Sequence, residues 1–166
     1  MNRRHLLALA ASVLALSACG PNRKALAAAQ MDEGKAFLAK NAKDPAVKVL
    51  PSGLQYRVLK SGPADGLRPQ KGDEVKVNYE GKLLDGKIFD SSYERGVPAA
   101  MPLNMLIPAW IEALQLMRPG DEWIICAPPQ LAYGDDGAGE IPPGATLIFR
   151  IELLGVLPGP GRIQQG

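Results

Sequence analysis

Residues 73–96 read DEVKVNYEGKLLDGKIFDSSYERG. Val75, Val77 and Tyr79 alternate with polar residues, as in a strand with one buried face. Asp85-Gly86 then marks a two-residue hairpin turn, because the tight turn needs residues that tolerate φ > 0. The strand leaving that turn is unusual. Phe89 stands directly beside a carboxylate, Asp90, and two serines follow. A core strand would avoid the charge and a surface loop would avoid the phenylalanine.

The same texture recurs along the chain. Residues 53–60, GLQYRVLK, alternate Leu54, Tyr56 and Val58 with polar neighbours. Residues 121–128, DEWIICAP, form a β-branched and aromatic run, and residues 146–156, TLIFRIELLGV, place Leu147, Phe149, Ile151 and Leu153 on one face. Among them lies one convincing helix, IPAWIEALQLMRPG. Pro108 suits its first position, Trp110, Ala113, Leu114 and Met117 share a face, and Pro119-Gly120 ends it. Antiparallel strands with one short helix predict an α+β domain over residues 50–156. The tail, 157–166, has no periodicity and is expected to be disordered. Three aromatics near strand ends or loops, Phe89, Trp110 and Tyr133, together with one carboxylate, have the composition of an apolar cleft with a polar rim.

The N-terminus belongs to a different process. Residues 1–18 have a basic start (Arg3, Arg4) and an apolar run from Leu6 to Ala18, too short to span a bilayer, which is the layout of a secretory signal. Leu16-Ser17-Ala18-Cys19 resembles a bacterial lipobox, with cleavage before Cys19 and acylation of that cysteine. A plain signal peptide cut near Ala27 is the alternative. Arg3-Arg4 also matches part of a twin-arginine signal, so the export route stays open. Acyl chains on Cys19 would anchor the protein to an envelope membrane. Residues 19–49 are rich in alanine and lysine with poor apolar periodicity, and read as a tether or short helix stopped at Asp44-Pro45.

Composition excludes several function classes. Loss of the signal removes Arg3 and Arg4 from 19 basic residues, leaving 17 to balance 17 acids, so no basic excess remains for nucleic acid. The only histidine, His5, leaves with the signal. No histidine-based triad or histidine-ligated metal site is then available, and no cofactor is expected. With Cys19 lipidated, Cys126 has no intramolecular disulfide partner, and it reads as a small buried residue.

Four blocks in order, VNYEGKLLDGKIFDSS, LIPAWIEALQLMRPGDEW, LAYG and IPPGATLIFRIELL, resemble the FKBP-type peptidyl-prolyl isomerases over about Leu54 to Val156. The lead-in VLPSGLQYRVLKSG resembles envelope members of that family. The resemblance implies a twisted antiparallel sheet wrapped around a short helix, with proline bound between them. It implies isomerisation of X–Pro bonds in exported polypeptides, and tacrolimus- or rapamycin-type ligands. By motif, Asp90, Tyr133 and Phe89 take the catalytic positions. Tyr79, Leu106, Ile107, Trp110, Ile141 and Phe149 take the substrate-binding ones, with Trp110 as floor, and Arg95 pairs with Asp90. Ala99 and Met101 stand where many relatives carry larger or aromatic residues. The loop from Gly134 to Glu140 adds three acids. About 25 residues between the expected cleavage point and Asp44 are fewer than the helical dimerisation domain of long relatives needs, which predicts a monomer. A non-catalytic, proline-binding chaperone module is the competing expectation.

Overall fold

A computed structural model describes residues 21–160; residues 1–20, with the expected signal segment and Cys19, and residues 161–166 lie outside the described residues. The fold is built on β3 (Glu74–Lys82), which pairs antiparallel with β7 (Leu147–Leu157) along its whole length. Outward from β7 come β6 (Glu122–Ala127), β2 (Gln55–Lys60) and the two-residue β1 (Lys48–Val49). On the other edge β3 pairs with β4 (Ile88–Ser91) through one half and with β5 (Ala99–Pro102) through the other. All of these pairings are antiparallel, and β1 and β5 extend the expected strand set.

The alternation read from sequence decides which face is covered. Val75 and Val77 of β3 and Leu147, Ile151 and Leu153 of β7 are fully buried. They meet Ala113, Leu114 and Met117 from the helix at residues 108–116 and its C-terminal cap. The helix has Pro108 in its first turn and stops at Leu116, before the Pro119 expected to end it. The residue preceding a proline is driven out of the α region, so the chain leaves the helix before Arg118-Pro119.

Three sequence expectations are corrected. The hairpin loop after β3 has three residues, because Leu83 N–H donates to Lys87 O (2.9 Å) and Gly86 N–H to Leu83 O (3.0 Å). Gly86, at φ 90°, takes the left-handed position, and no non-glycine described residue has positive φ; Asp85 therefore cannot serve in a two-residue turn. The segment expected as a tether or short helix is a long helix, α1 (Pro21–Asn41), docked on the domain. Asn41 Nδ2 donates to Gln55 Oε1 (2.8 Å) and Gln55 Nε2 to Leu38 O (3.0 Å). Finally, the expected disordered tail is ordered at its start: Leu157 belongs to β7 and Gly159 N–H donates to Asp73 Oδ1 (3.0 Å).

Cys126 lies in β6, 4% exposed, and burial pushes its thiol up to about 11.

Where β3 crosses the future pocket wall, Gly81 pairs with Asp90 on one side and Phe149 on the other, and the β3–β4 register shifts beside it. A Cβ at Gly81 would fall 2.7 Å from Phe89 Cζ and 2.9 Å from Phe149 Cε1. The missing side chain is what lets the two rings close over the strand. Gly81→Ala is expected to lower stability by about 1–3 kcal/mol, the usual penalty of overpacking. Gly155→Ala, where a Cβ meets nothing within 4 Å, serves as the near-neutral control in urea denaturation. Equal midpoints for the two variants would show that Gly81 is not needed for ring packing.

Candidate active site

The short helix α3 (Pro108–Leu116) holds Trp110 in its first turn, 5% exposed, against the concave face of the sheet. Two rings frame it at near right angles, and a third joins them. Tyr79 lies 5.0 Å away at 83°, and Phe149 5.5 Å away at 88°. Phe89 then stands edge-on to Phe149 at 5.8 Å and 89°. Edge-to-face placement sets the positive rim of one ring on the negative face of the next, which favours these angles over parallel stacking. With Leu106, Ile107 and Tyr133 the rings enclose a cavity of about 280 Å³. Larger hollows of about 620 and 610 Å³ lie under α1, lined by residues such as Met31 and Pro142. They contain none of the four rings, so chemistry rather than volume singles out the smaller cavity.

One edge of that cavity is ionic. Tyr79 Oη donates to Asp90 Oδ2, and Arg95 Nη1 donates to Asp90 Oδ1. Arg95 Nη2 also donates to Tyr79 Oη (2.9 Å), and its guanidinium lies 5.4 Å from the Tyr79 ring centre. Burial raises the Asp90 carboxyl, but the hydrogen bonds from Tyr79 and Arg95 and the Arg95 charge outweigh it and hold the group below the ordinary carboxylate value. Tyr79 moves the other way, raised by burial and by its bond to Asp90. Tyr133 is raised by burial and by the nearby Asp90 charge.

The two serines after Asp90 have separate duties. Ser91 caps α2 (Ser92–Arg95), its Oγ accepting from Glu94 N–H, as N-caps do. This single turn brings Arg95 back towards Asp90. Ser92 is fully buried, and its Oγ accepts from Tyr79 N–H (2.8 Å), clipping the turn to β3.

Of the residues singled out from sequence, Tyr79, Phe89, Asp90, Leu106, Ile107 and Trp110 line the cavity. Tyr133 and Phe149 line it too. Arg95 reaches it through Asp90 and Tyr79. Ile141 does not line it: the residue is buried in the core and forms an isolated bridge with Ala138 behind the Tyr133 loop. Met101, noted from sequence as a changed wall residue, does line the cavity, and so does Met105, which is 78% exposed at its mouth and which sequence reasoning missed. Gly81 and Ser92 were missed as well. Three donors of cavity-lining residues have no acceptor among the described residues: the Ile107 N–H just before α3, the Tyr133 hydroxyl and the buried Trp110 Nε1.

Comparisons with known proteins bear on the family and the fold. The family model described as FKBP-type peptidyl-prolyl cis-trans isomerase matches residues 66–154, and one described as the domain amino terminal to it matches residues 13–58. The chain is 52% identical over 126 residues to the peptidyl-prolyl cis-trans isomerase Mip of Coxiella burnetii, covering 75% of this chain and 54% of that one. It is 46% identical over 125 residues to the outer membrane protein MIP of Legionella longbeachae, covering 75% and 53%. The crystal structure of FkpA from Escherichia coli superposes with a TM-score of 0.80 at 42% identity, covering 84% of this chain and 64% of that one. The chain thus spans about half the length of the curated relatives it matches. On the family match, the sequence identities and the superposition together, the chain belongs to the FKBP-type peptidyl-prolyl cis-trans isomerase family.

Proposed function

We propose that this protein accelerates cis–trans isomerisation of X–Pro bonds in exported polypeptides. The observation that carries the reading is the ring-walled cavity with an ionised carboxylate at its edge and lining residues, Ile107 and Tyr133 among them, whose donors have no acceptor among the described residues. Rotation about a peptide bond meets a barrier of about 18–20 kcal/mol, because resonance gives the C–N bond partial double-bond character. X–Pro bonds populate both isomers yet exchange uncatalysed in tens to hundreds of seconds. In the twisted amide the resonance is lost and charge separation falls. An apolar cavity that receives the prolyl ring and strips water from the amide therefore binds the twisted form more tightly than the planar one, which is catalysis by differential binding.

In this reading the Ile107 N–H and the Tyr133 hydroxyl hold carbonyl oxygens flanking the proline, and Trp110 is the floor beneath its ring. Asp90 orients and stabilises by charge. It is poorly suited to be a base, since both oxygens already accept hydrogen bonds and its proton affinity is lowered. The reaction moves no proton, so none is required. Ligands of the tacrolimus and rapamycin type would occupy the same cavity.

A location on the envelope side of a membrane is part of the same proposal. It is supported by the secretory layout of residues 1–18, the lipobox-like sequence at Cys19 and the name of the Legionella relative. No helix among the described residues is long and apolar enough to cross a membrane, so attachment would fall to the lipid.

In a prolyl-peptide isomerisation assay on the full chain, Tyr133→Phe should lower kcat/KM by about tenfold, the equivalent of one lost neutral hydrogen bond. Asp90→Ala should lower it by at least as much, and a rapamycin-type ligand should abolish it. Catalysis indifferent to both substitutions would sink the reading, while peptide binding without catalysis would favour the chaperone alternative. Cys19→Ser should release the protein from membranes in fractionated cells; continued attachment would disprove the lipid anchor.

The pH dependence follows from the same groups. Asp90 has a folded value below its unfolded one, so its ionised form contributes stability above the unfolded value, and this is lost as pH falls through the depressed folded value. Tyr79 and Tyr133 are raised, so their protonated forms contribute below the unfolded value and are lost as pH rises through the higher folded one. Activity should accordingly be flat from about pH 5 to 9, between the ordinary carboxylate and phenol ranges. Arg95→Gln should move the acid limb to higher pH. An unmoved limb would mean that Asp90 does not set it.

A further inference from the structure

Tyr133 sits on a loop that is tied together internally. Gly134 N–H donates to Pro129 O (2.8 Å), Gly137 N–H to Tyr133 O (3.1 Å) and Gly144 N–H to Gly134 O (2.9 Å). Movement at one end of the segment 129–144 is thereby passed to Tyr133.

Helix α1 presses from outside on this segment and on Thr146, two residues beyond its end. At Gly34 the helix backbone comes so close that a Cβ would fall 2.2 Å from Thr146 Oγ1. At Gly144 the loop comes so close that a Cβ would fall 2.6 Å from Ala27 O. Arg23 Nη2 donates to Asp136 O (2.7 Å). Ala27, Gly34 and Asn41 recur every seven residues, so the contacts lie along one side of the helix. The Arg23 side chain is largely exposed, and such a surface pairing is weak. The glycine contacts are the constraint: Gly144 packs on the Ala27 backbone, and Gly34 lets the helix rest directly on the buried Thr146 side chain.

We propose that α1 is a positioning element for Tyr133, with Gly34 as its key residue: the docked helix sets the 129–144 loop and so places the phenol over the cavity. The proposal rests on the isomerase reading of that cavity. It gives the N-terminal segment a part in catalysis through Tyr133, beyond linking the domain to whatever precedes it.

The test uses the full chain. Alanine is a better helix former than glycine, so Gly34→Ala strengthens α1 while lifting it from Thr146. It should lower kcat/KM by about tenfold and speed amide exchange in residues 131–140, with exchange in α3 unchanged. Thr146→Ala removes the hydroxyl nearest the new methyl, so adding it should restore both readouts. On a Tyr133→Ala background, Gly34→Ala should cost less than about twofold, since contacts that act through one residue are not additive.

Unchanged loop exchange in Gly34→Ala, absence of rescue, or the same tenfold loss without Tyr133 would overturn the proposal. If the unmodified protein does not catalyse, the isomerase reading fails by itself. Faster loop exchange with rescue would then still uphold the coupling of α1 to the Tyr133 loop.

Discussion

One indole joins the helix to the sheet. Trp110 enters from the first turn of α3 and meets the edge of Tyr79 from β3 and the ring of Phe149 from β7. These are the two strands with the longest pairing in the fold. Burying the indole therefore fixes where the helix can lie, and fixing the helix places the Ile107 N–H. Ring packing of this kind has a narrow choice of angles, so the hollow beside Trp110 inherits its shape from the core. The cavity is the part of the core that lacks a last layer of side chains.

The ionic edge depends on the same frame. Tyr79 has its ring in the core and its hydroxyl on Asp90, a division of labour that only a long amphipathic aromatic can provide. Its backbone is clipped by Ser92, and its hydroxyl is shared with Arg95. Apolar packing thus dictates where the carboxylate stands, and the arginine decides its charge state. Partial burial alone would have pushed Asp90 towards neutrality.

Most of the sheet and α3 were legible as sequence because Val75, Val77, Leu147, Ile151 and Leu153 alternate cleanly and Trp110, Ala113, Leu114 and Met117 keep helical spacing. The cavity residues were legible mainly through the resemblance, since nothing in spacing alone separates Phe149 as wall from Phe149 as core. What escaped was governed by absent or small side chains. The docking side of α1 runs through Ala27 and Gly34 to Asn41, with no bulky apolar stripe to announce it. Gly81 matters for the space it leaves, which no pattern of hydrophobicity records. Asp85-Gly86 was read as a two-residue turn because the pair is common there; only the backbone hydrogen bonds reveal the third residue. Ile141 came with the family motif, yet its side chain turns into the core behind the loop.

The single buried thiol has a consequence of its own. With Cys126 pushed up to about 11 by burial, the reactive thiolate is scarce at neutral pH. Sheet neighbours on both sides also keep reagents away from it. In an oxidising setting, an unpaired cysteine invites unwanted cross-links between chains. For Cys126 that hazard is confined to the unfolded chain, and the native sheet quarantines it. Modification of this one sulfur is therefore a clock for how often the whole domain opens.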